Sequence, residues 1–406
     1  MKKIAGILIG SALIFGATGP LKNNANFVKA MENTVIETST EVETVSENAV
    51  NLQIRAKSAY LTDYATGTPI YMQNEREHLP IASMCKIMTL ILSFDAIESG
   101  VMEMDEEIMV SERAASMGGS QVFLEANAKY PVKELIKSIV VCSANDSCVA
   151  LAERIAGNEA AFTDKMNEKA KALGANDTLF ANCTGLPKEP QYSCAKDVAI
   201  MLKNLLNHEE YYQFGKVWMD KFIHPKGRYT EITNTNKLVR FYDGCDGGKT
   251  GFTNQAGFCL AATAMRNNMR IISVVIGEET SQNRFDDVRS MFDYAFANYV
   301  MTPIAEASVP LEKTATVNGG KVKTVEVCPE RSAYAFTKRG EKANITVETR
   351  CDALRAPFDK GVKAGELVVY KDNVEIDRVA LVANEAAAKA NFFDRMRDVT
   401  RSWTAR

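Results

Sequence analysis

Histidine is the scarcest chemistry-bearing residue here: His78, His208 and His224 are all that the 406 residues contain. A Ser-His-Asp triad needs an imidazole beside its serine, and none of the three stands in a motif of that kind. Each falls in a charged segment or before a proline, so all three read as surface residues. A zinc site would have few nitrogen ligands, and no two of the nine cysteines have CxxC spacing, so neither metal nor cofactor is expected. The cysteine number is odd, and Cys142, Cys148 and Cys259 lie inside apolar runs, which reads as small buried hydrophobes rather than disulfide halves. Excess positive charge is also missing. Lysine and arginine number 48 against 51 acidic residues, interspersed to a net charge of -3, and without a basic stripe nucleic acid is not an expected partner.

Long apolar runs are missing too, apart from Ile4 to Gly19 behind Met1-Lys2-Lys3. A short positive region leading into such a segment reads as an export signal, placed at 1–30, with a short N-terminal membrane anchor as the alternative. Residues 31–51, rich in Glu, Thr, Ser and Val, read as a polar linker.

The composition is globular and 406 residues are long enough for two or three domains, the first packed strand being expected near residue 52. Ala59 to Asp63 and Thr68 to Met72 flank a turn at Gly67 and predict an edge hairpin. Cys85 to Ile97 is almost wholly apolar and ends near Gly100, which predicts a buried, glycine-capped helix. Amphipathic helical spacing continues through Val132 to Ala156, Asn158 to Leu173 and Ala195 to Leu206. Gly257 to Met265 and Met269 to Ile276 predict a strand pair, and Asp286 to Val300 a closing helix. The fold class expected for 52–302 is therefore α+β, an antiparallel sheet with a helical cluster. Short alternating strands at Lys321 to Val327, Ile345 to Thr349, Leu367 to Tyr370 and Val374 to Val382 predict a small all-β C-terminal domain over 303–385. In 386–406, the stretch Asn391 to Arg406 has Phe392, Phe393, Met396, Val399 and Trp403 on one helical face with arginines elsewhere. It predicts an amphipathic helix that either meets a membrane surface or docks on its own domain.

Three short motifs carry chemistry. Ser83-Met84-Cys85-Lys86 puts a hydroxyl and an amine on one face of the start of a buried helix. A serine becomes a nucleophile when a neighbouring base takes its proton, and a buried lysine held neutral can do so. Chance alone supplies such a pair in a chain of this length. The odds change with Ser143-Ala144-Asn145 at a break between helical stretches, and with Lys249-Thr250-Gly251 behind Gly247-Gly248 and ahead of the strand pair.

SxxK, SxN and KTG in this order resemble the signature set of penicillin-binding proteins and serine β-lactamases. The longer strings Ala82 to Thr89, Cys142 to Leu151, Gly185-Leu186 and Asp246 to Thr253 are similar to the low-molecular-mass D-alanyl-D-alanine carboxypeptidases, over about Asn51 to Val300. The resemblance implies a β-lactamase/transpeptidase-like domain and a serine carboxypeptidase that removes the terminal D-alanine from peptidoglycan stem peptides and is acylated by β-lactam antibiotics. It implies action at the outer face of the cytoplasmic membrane or in the cell wall. Carried over by position, Ser83 is the nucleophile and Lys86 its base, and Ser143 with Asn145 relays a proton and contacts the substrate amide. Lys249 then supplies positive charge, Thr250 binds the substrate's terminal carboxylate, and the N–H groups of Ser83 and Phe252 hold the oxyanion, while Gly251, by its own lack of a side chain, lets a substrate backbone approach the strand. Phe252 and Ala144 depart from the family pattern, where His and Gly are common. Two alternatives share the motifs: a penicillin-sensing or cell-wall-binding protein of slow turnover, and a β-lactamase-like hydrolase, for which Glu189 falls in a plausible stretch.

Overall fold

The computed structural model describes residues 52–394 and 396–397; the expected signal, the polar linker and the end of the C-terminal helix lie outside them. The first strand among the described residues is β1 (Ser58–Asp63), which turns at Gly67 and returns as β2 (Pro69–Gln73). A 3-10 turn over Ala82–Cys85 leads into helix α1 (Lys86–Glu98). Four more long helices come next: α2 (Val132–Cys142), α3 (Asn145–Ala156), α4 (Glu159–Ala172) and α5 (Ala195–Leu205). Strands β3 (Cys245–Thr253), β4 (Gly257–Arg266) and β5 (Met269–Glu278) then precede α6 (Ser281–Asn298).

The five strands form one antiparallel sheet in the order β2-β1-β5-β4-β3. Alternation along each strand decides what covers each face. Cys259, Ala261, Ile272, Val274 and Ile276 point into the core shared with α1 to α5. Leu260, Ala262, Ala264, Ile271 and Val275 point the other way, onto Phe285, Val288, Met291 and Phe292 of α6. The domain is thus a sheet between a helical cluster and one long helix. The expected edge hairpin is an edge only at β2, because β1 also pairs with β5 and is buried at every position.

The break expected at Ser143 within the helical stretch Val132 to Ala156 is made by a left-handed conformation, φ 65° and ψ 35°. The closing helix starts ahead of Asp286, because the Thr280 hydroxyl accepts the Asn283 N–H at 3.1 Å and caps the first turn at Ser281.

A second unit of strands begins at Tyr299, ahead of the expected start at 303. Its strands are β6 (Tyr299–Ala305), β7 (Thr314–Asn318), β8 (Thr324–Pro329), β9 (Ala333–Lys338), β10 (Ile345–Cys351), β11 (Leu354–Arg355), β12 (Lys363–Lys371) and β13 (Val374–Ala383). Six form a sheet in the order β10-β12-β13-β8-β7-β11, and β6 pairs with β9. A separate core of Val, Ala and Leu side chains holds it together. The fold is an α+β domain followed by an all-β domain. Strands β6, β7, β9 and β11 go beyond the sequence expectation; β6 begins within the closing helix expected to reach Val300, and β11 is two residues long.

Candidate active site

Ser83 sits in the 3-10 turn, one residue after Ala82, whose φ of 47° is rare for a residue with a side chain. Lys86 opens α1 directly beneath it. Lys86 Nζ donates to Ser83 Oγ at 2.8 Å and to the Thr184 carbonyl at 2.6 Å. The lysine is fully buried, and burial lowers its pKa from the ordinary value. Nearby thiols could raise it only as thiolates, yet burial pushes Cys148 up to about 12 and Cys85 higher still, so both stay neutral.

The turn is clamped from two sides by glycines. A Cβ on Gly185 would lie 2.0 Å from the Ala82 carbonyl oxygen, and one on Gly251 would lie 2.6 Å from that of Ile81. The Gly185 loop is itself built on Asn182. Its side-chain oxygen accepts N–H bonds from Thr184 (3.1 Å) and Gly185 (2.7 Å), while its amide donates to Leu186 O at 2.8 Å. Thr89 Oγ1 and Cys85 Sγ reach the carbonyls of Cys183 and Asn182 and tie this loop to α1.

Ser143 and Asn145 stand at the strained junction between α2 and α3, both nearly buried. Asn145 Nδ2 donates to Gly118 O at 2.7 Å, whereas Asn145 Oδ1 and Ser143 Oγ have no hydrogen-bond partner. Buried polar atoms are nearly always paired, so two orphans side by side mark a place where a ligand completes the bonding. Asp146 fixes the neighbouring loop by accepting the Val122 and Leu124 N–H groups at 3.1 Å.

Lys249, Thr250, Gly251 and Phe252 lie on β3, the sheet edge. Lys249 is buried, and burial together with the Lys86 charge lowers its pKa well below the ordinary value. Thr250 Oγ1 donates to Thr235 Oγ1 at 2.8 Å. Phe252 is half exposed, its ring stacked on Phe258 at 4.2 Å. The structure therefore brings the three motifs to one rim of the sheet.

Residues outside the motifs complete it. Thr235 comes after a hairpin of Met219–Ile223 with Tyr229–Thr233 and is pinned by its N–H to Val141 O at 3.0 Å. The Tyr211 hydroxyl accepts the Gly248 N–H at 2.8 Å, holding β3 just before Lys249. Arg284 of α6 donates to Gly251 O at 3.2 Å from behind the strand. None of the three lies in a local motif; only the tertiary path of the chain delivers them.

His208 and His224, expected at the surface, are buried, His224 against Tyr130 at 3.1 Å. His78 is exposed, as expected. Glu189 is an exposed loop residue whose carboxylate accepts from Gln255 at 3.4 Å. All nine cysteines are free and most are buried, as their apolar settings implied.

This geometry has counterparts. The D-alanyl-D-alanine carboxypeptidase family profile matches residues 41–280, and that of the penicillin-binding protein 5 C-terminal domain matches residues 299–389. The chain belongs to the D-alanyl-D-alanine carboxypeptidase family. It is an enzyme of that family, a serine-type hydrolase among the low-molecular-mass penicillin-binding proteins. It is 40% identical over 351 residues to D-alanyl-D-alanine carboxypeptidase DacF of Bacillus subtilis, covering 86% of this chain and 90% of that one. Penicillin-binding protein 5 of Haemophilus influenzae superposes with a TM-score of 0.67 at 28% identity, covering 83% of this chain and 98% of that one. The ampicillin-bound penicillin-binding protein D2 of Listeria monocytogenes superposes at 0.53 with 30% identity, over 61% of this chain and 99% of that one.

Proposed function

We propose that this carboxypeptidase releases the terminal D-alanine of peptidoglycan stem peptides through an ester on Ser83. The reading rests on one observation above others: a fully buried lysine, 2.8 Å from the serine hydroxyl, whose hydrogen bonds go to no carboxylate. A neutral Lys86 amine takes the Ser83 proton as Oγ attacks the penultimate D-alanine carbonyl. The N–H groups of Ser83 and Phe252 hold the oxyanion, and the Gly251 approach to the Ser83 turn brings their two peptide units together. The proton passes by way of Ser143 Oγ to the leaving nitrogen, the C–N bond breaks and D-alanine departs. Water then adds to the ester, Lys86 takes its proton, and Ser83 Oγ leaves protonated.

The unpartnered oxygen of Asn145 accepts a substrate amide N–H. Thr250, its hydroxyl oriented by Thr235, and Lys249 receive the terminal carboxylate. That carboxylate supplies the counter-charge that buried Lys249 lacks and draws its pKa back up. An extended peptide can lie along β3, which is at the sheet edge.

β-Lactams acylate the same serine, as the ampicillin-bound relative supports. Peptidoglycan lies outside the cytoplasm, so the enzyme acts at the outer face of the cytoplasmic membrane or in the wall. Among the described residues no helix is long and apolar enough to cross a membrane. Contact with a membrane surface falls to 391–406, where Phe392, Phe393 and Met396 are exposed.

The test is direct. The purified chain, given a pentapeptide ending in D-Ala-D-Ala, releases free D-alanine, and Ser83→Ala does not. Mass spectrometry after benzylpenicillin finds the adduct on Ser83. Penicillin labelling without D-alanine release would instead support the sensor reading, and rapid turnover of the antibiotic the β-lactamase-like one.

A further inference from the structure

At the far end of α1 from Ser83, two carboxylates and an imidazole converge. Asp95 and Glu98 are three residues apart on one helical face, and His208 comes from the turn after α5. One ligand atom from each of the three lies within 4.8 Å of the others. The His208 side chain is only 5% exposed, and its ring stacks on Phe94 at 5.4 Å, so its orientation is fixed.

The two ring nitrogens have different surroundings. Nδ1 lies 2.5 Å from Glu98 Oε1, which as a carboxylate accepts the Nδ1–H. In the neutral ring that leaves the lone pair on Nε2. Nε2 has no hydrogen-bond partner and points at Asp95 Oδ1 across 3.8 Å. This gap is too long for a hydrogen bond and too short for a water. An ion fits between them with zinc bonds of about 2.0–2.2 Å to nitrogen and to oxygen when the angle at the metal opens from tetrahedral to about 130°. A carboxylate holding the opposite N–H of a metal-bound imidazole is the usual orienting arrangement. Lys169 of α4 donates to Asp95 Oδ2 at 2.9 Å and leaves Oδ1 available.

We propose that His208 Nε2 and Asp95 Oδ1 bind a divalent first-row metal ion of the zinc class, with Glu98 orienting the imidazole and water filling the remaining positions. The site is separate from the serine machinery and does no chemistry there. It joins the end of α1 to the turn carrying Tyr211, whose ring meets Phe94 edge-on at 6.5 Å and whose hydroxyl holds Gly248. An ion here fastens the helix that begins at Lys86 to the support of the strand that carries Lys249. The histidine count argues against a metal; a carboxylate pair at helical spacing and a distant histidine leave no compact motif to read.

The test titrates the chelator-treated full chain with Co2+ and follows its visible absorption. Expected is saturable binding of one equivalent with d–d bands of nitrogen and oxygen ligands and no thiolate charge-transfer band. Zn2+ should displace it and raise Tm. His208→Gln should lose the spectrum. Glu98→Gln, at a half-exposed position that threatens the fold least, should weaken binding about 10-fold while penicillin labelling persists. A charge-transfer band from cysteine, unchanged binding in either variant, or no saturable binding would each overturn the proposal.

Discussion

The Thr184 carbonyl accepts a hydrogen bond from Lys86 Nζ at 2.6 Å, so the loop after α4 holds the lysine that faces the serine. A neutral amine keeps a lone pair and still has an N–H for Thr184, so this contact aims the lone pair at Ser83 in the state that can take its proton. Burial lowers the Lys86 pKa, and the lysine becomes a base at a pH below the ordinary lysine range. The acylation rate of a reporter β-lactam should therefore rise with pH through that lowered pKa. Lys86→Arg, which stays charged, should cut the rate by roughly 1,000-fold or more at every pH, as removal of a general base does. An arginine variant that kept a wild-type pH profile would be incompatible with Lys86 as the base.

Thr235 acts only through Thr250, whose hydroxyl donates to it at 2.8 Å. Thr235→Val leaves Thr250 free to rotate. The expected result is a rise in KM for the D-Ala-D-Ala peptide of about 10-fold, the scale of one hydrogen bond to a charged group, with kcat and Tm little changed. Steady-state kinetics with free D-alanine detection separates the two constants.

Gly185 and Gly100 both have positive φ, 79° and 72°, but only Gly185 faces backbone. A Cβ at Gly185 would lie 2.0 Å from Ala82 O, whereas nothing lies within 4 Å of one at Gly100. Gly100→Ala should cost about 1 kcal/mol of stability, the conformational penalty alone, and leave labelling intact. Gly185→Ala should displace the Ser83 turn and abolish labelling. Equal thermal melts and equal labelling for the two variants would contradict the role given to Gly185.

Glu278, 1% exposed at the end of β5, has no donor facing either oxygen when ionised, and once protonated it can donate to Asp287. Burial first, and the nearby Asp287 carboxylate second, raise its pKa to about 8, although Arg55 opposes this. A carboxyl raised in the folded state stabilises the fold fully below its unfolded value and loses that contribution as pH rises through 8. Glu278→Gln should thus match wild type in Tm near pH 4 and exceed it near pH 9. A scanning-calorimetry series with no pH-dependent difference would remove this carboxyl from any part in stability.

Tyr211→Phe would strand the buried Gly248 N–H. A loss of about 1–3 kcal/mol in denaturant unfolding is expected, with slower acylation because β3 loses its anchor beside Lys249.

Much of the fold and the site is legible in the sequence. Alternation puts the residues of β4 and β5 on two faces, and an apolar run marks α1 as buried, because period 2 and helical spacing are local properties. The SxxK, SxN and KTG strings name residues that the fold then gathers on one rim of the sheet. Ser83 and Lys86 meet because residues three apart on a helix share a face.

What stays hidden depends on distance along the chain. His208 looks exposed because its neighbours are charged, yet Phe94, 114 residues earlier, covers its ring. Thr235, Tyr211 and Arg284 carry no local mark, and their places depend on which loop passes beneath which strand. The break at Ser143 is legible, but its left-handed backbone is not, since hydrophobic spacing records which side is buried and not the dihedral angles of the residue between two helices. The residue types and their order set the chemistry available to this chain. Tertiary packing alone put Lys86 in a dry pocket where its hydrogen bonds reach no carboxylate, and a lysine becomes a base only where its charge is costly.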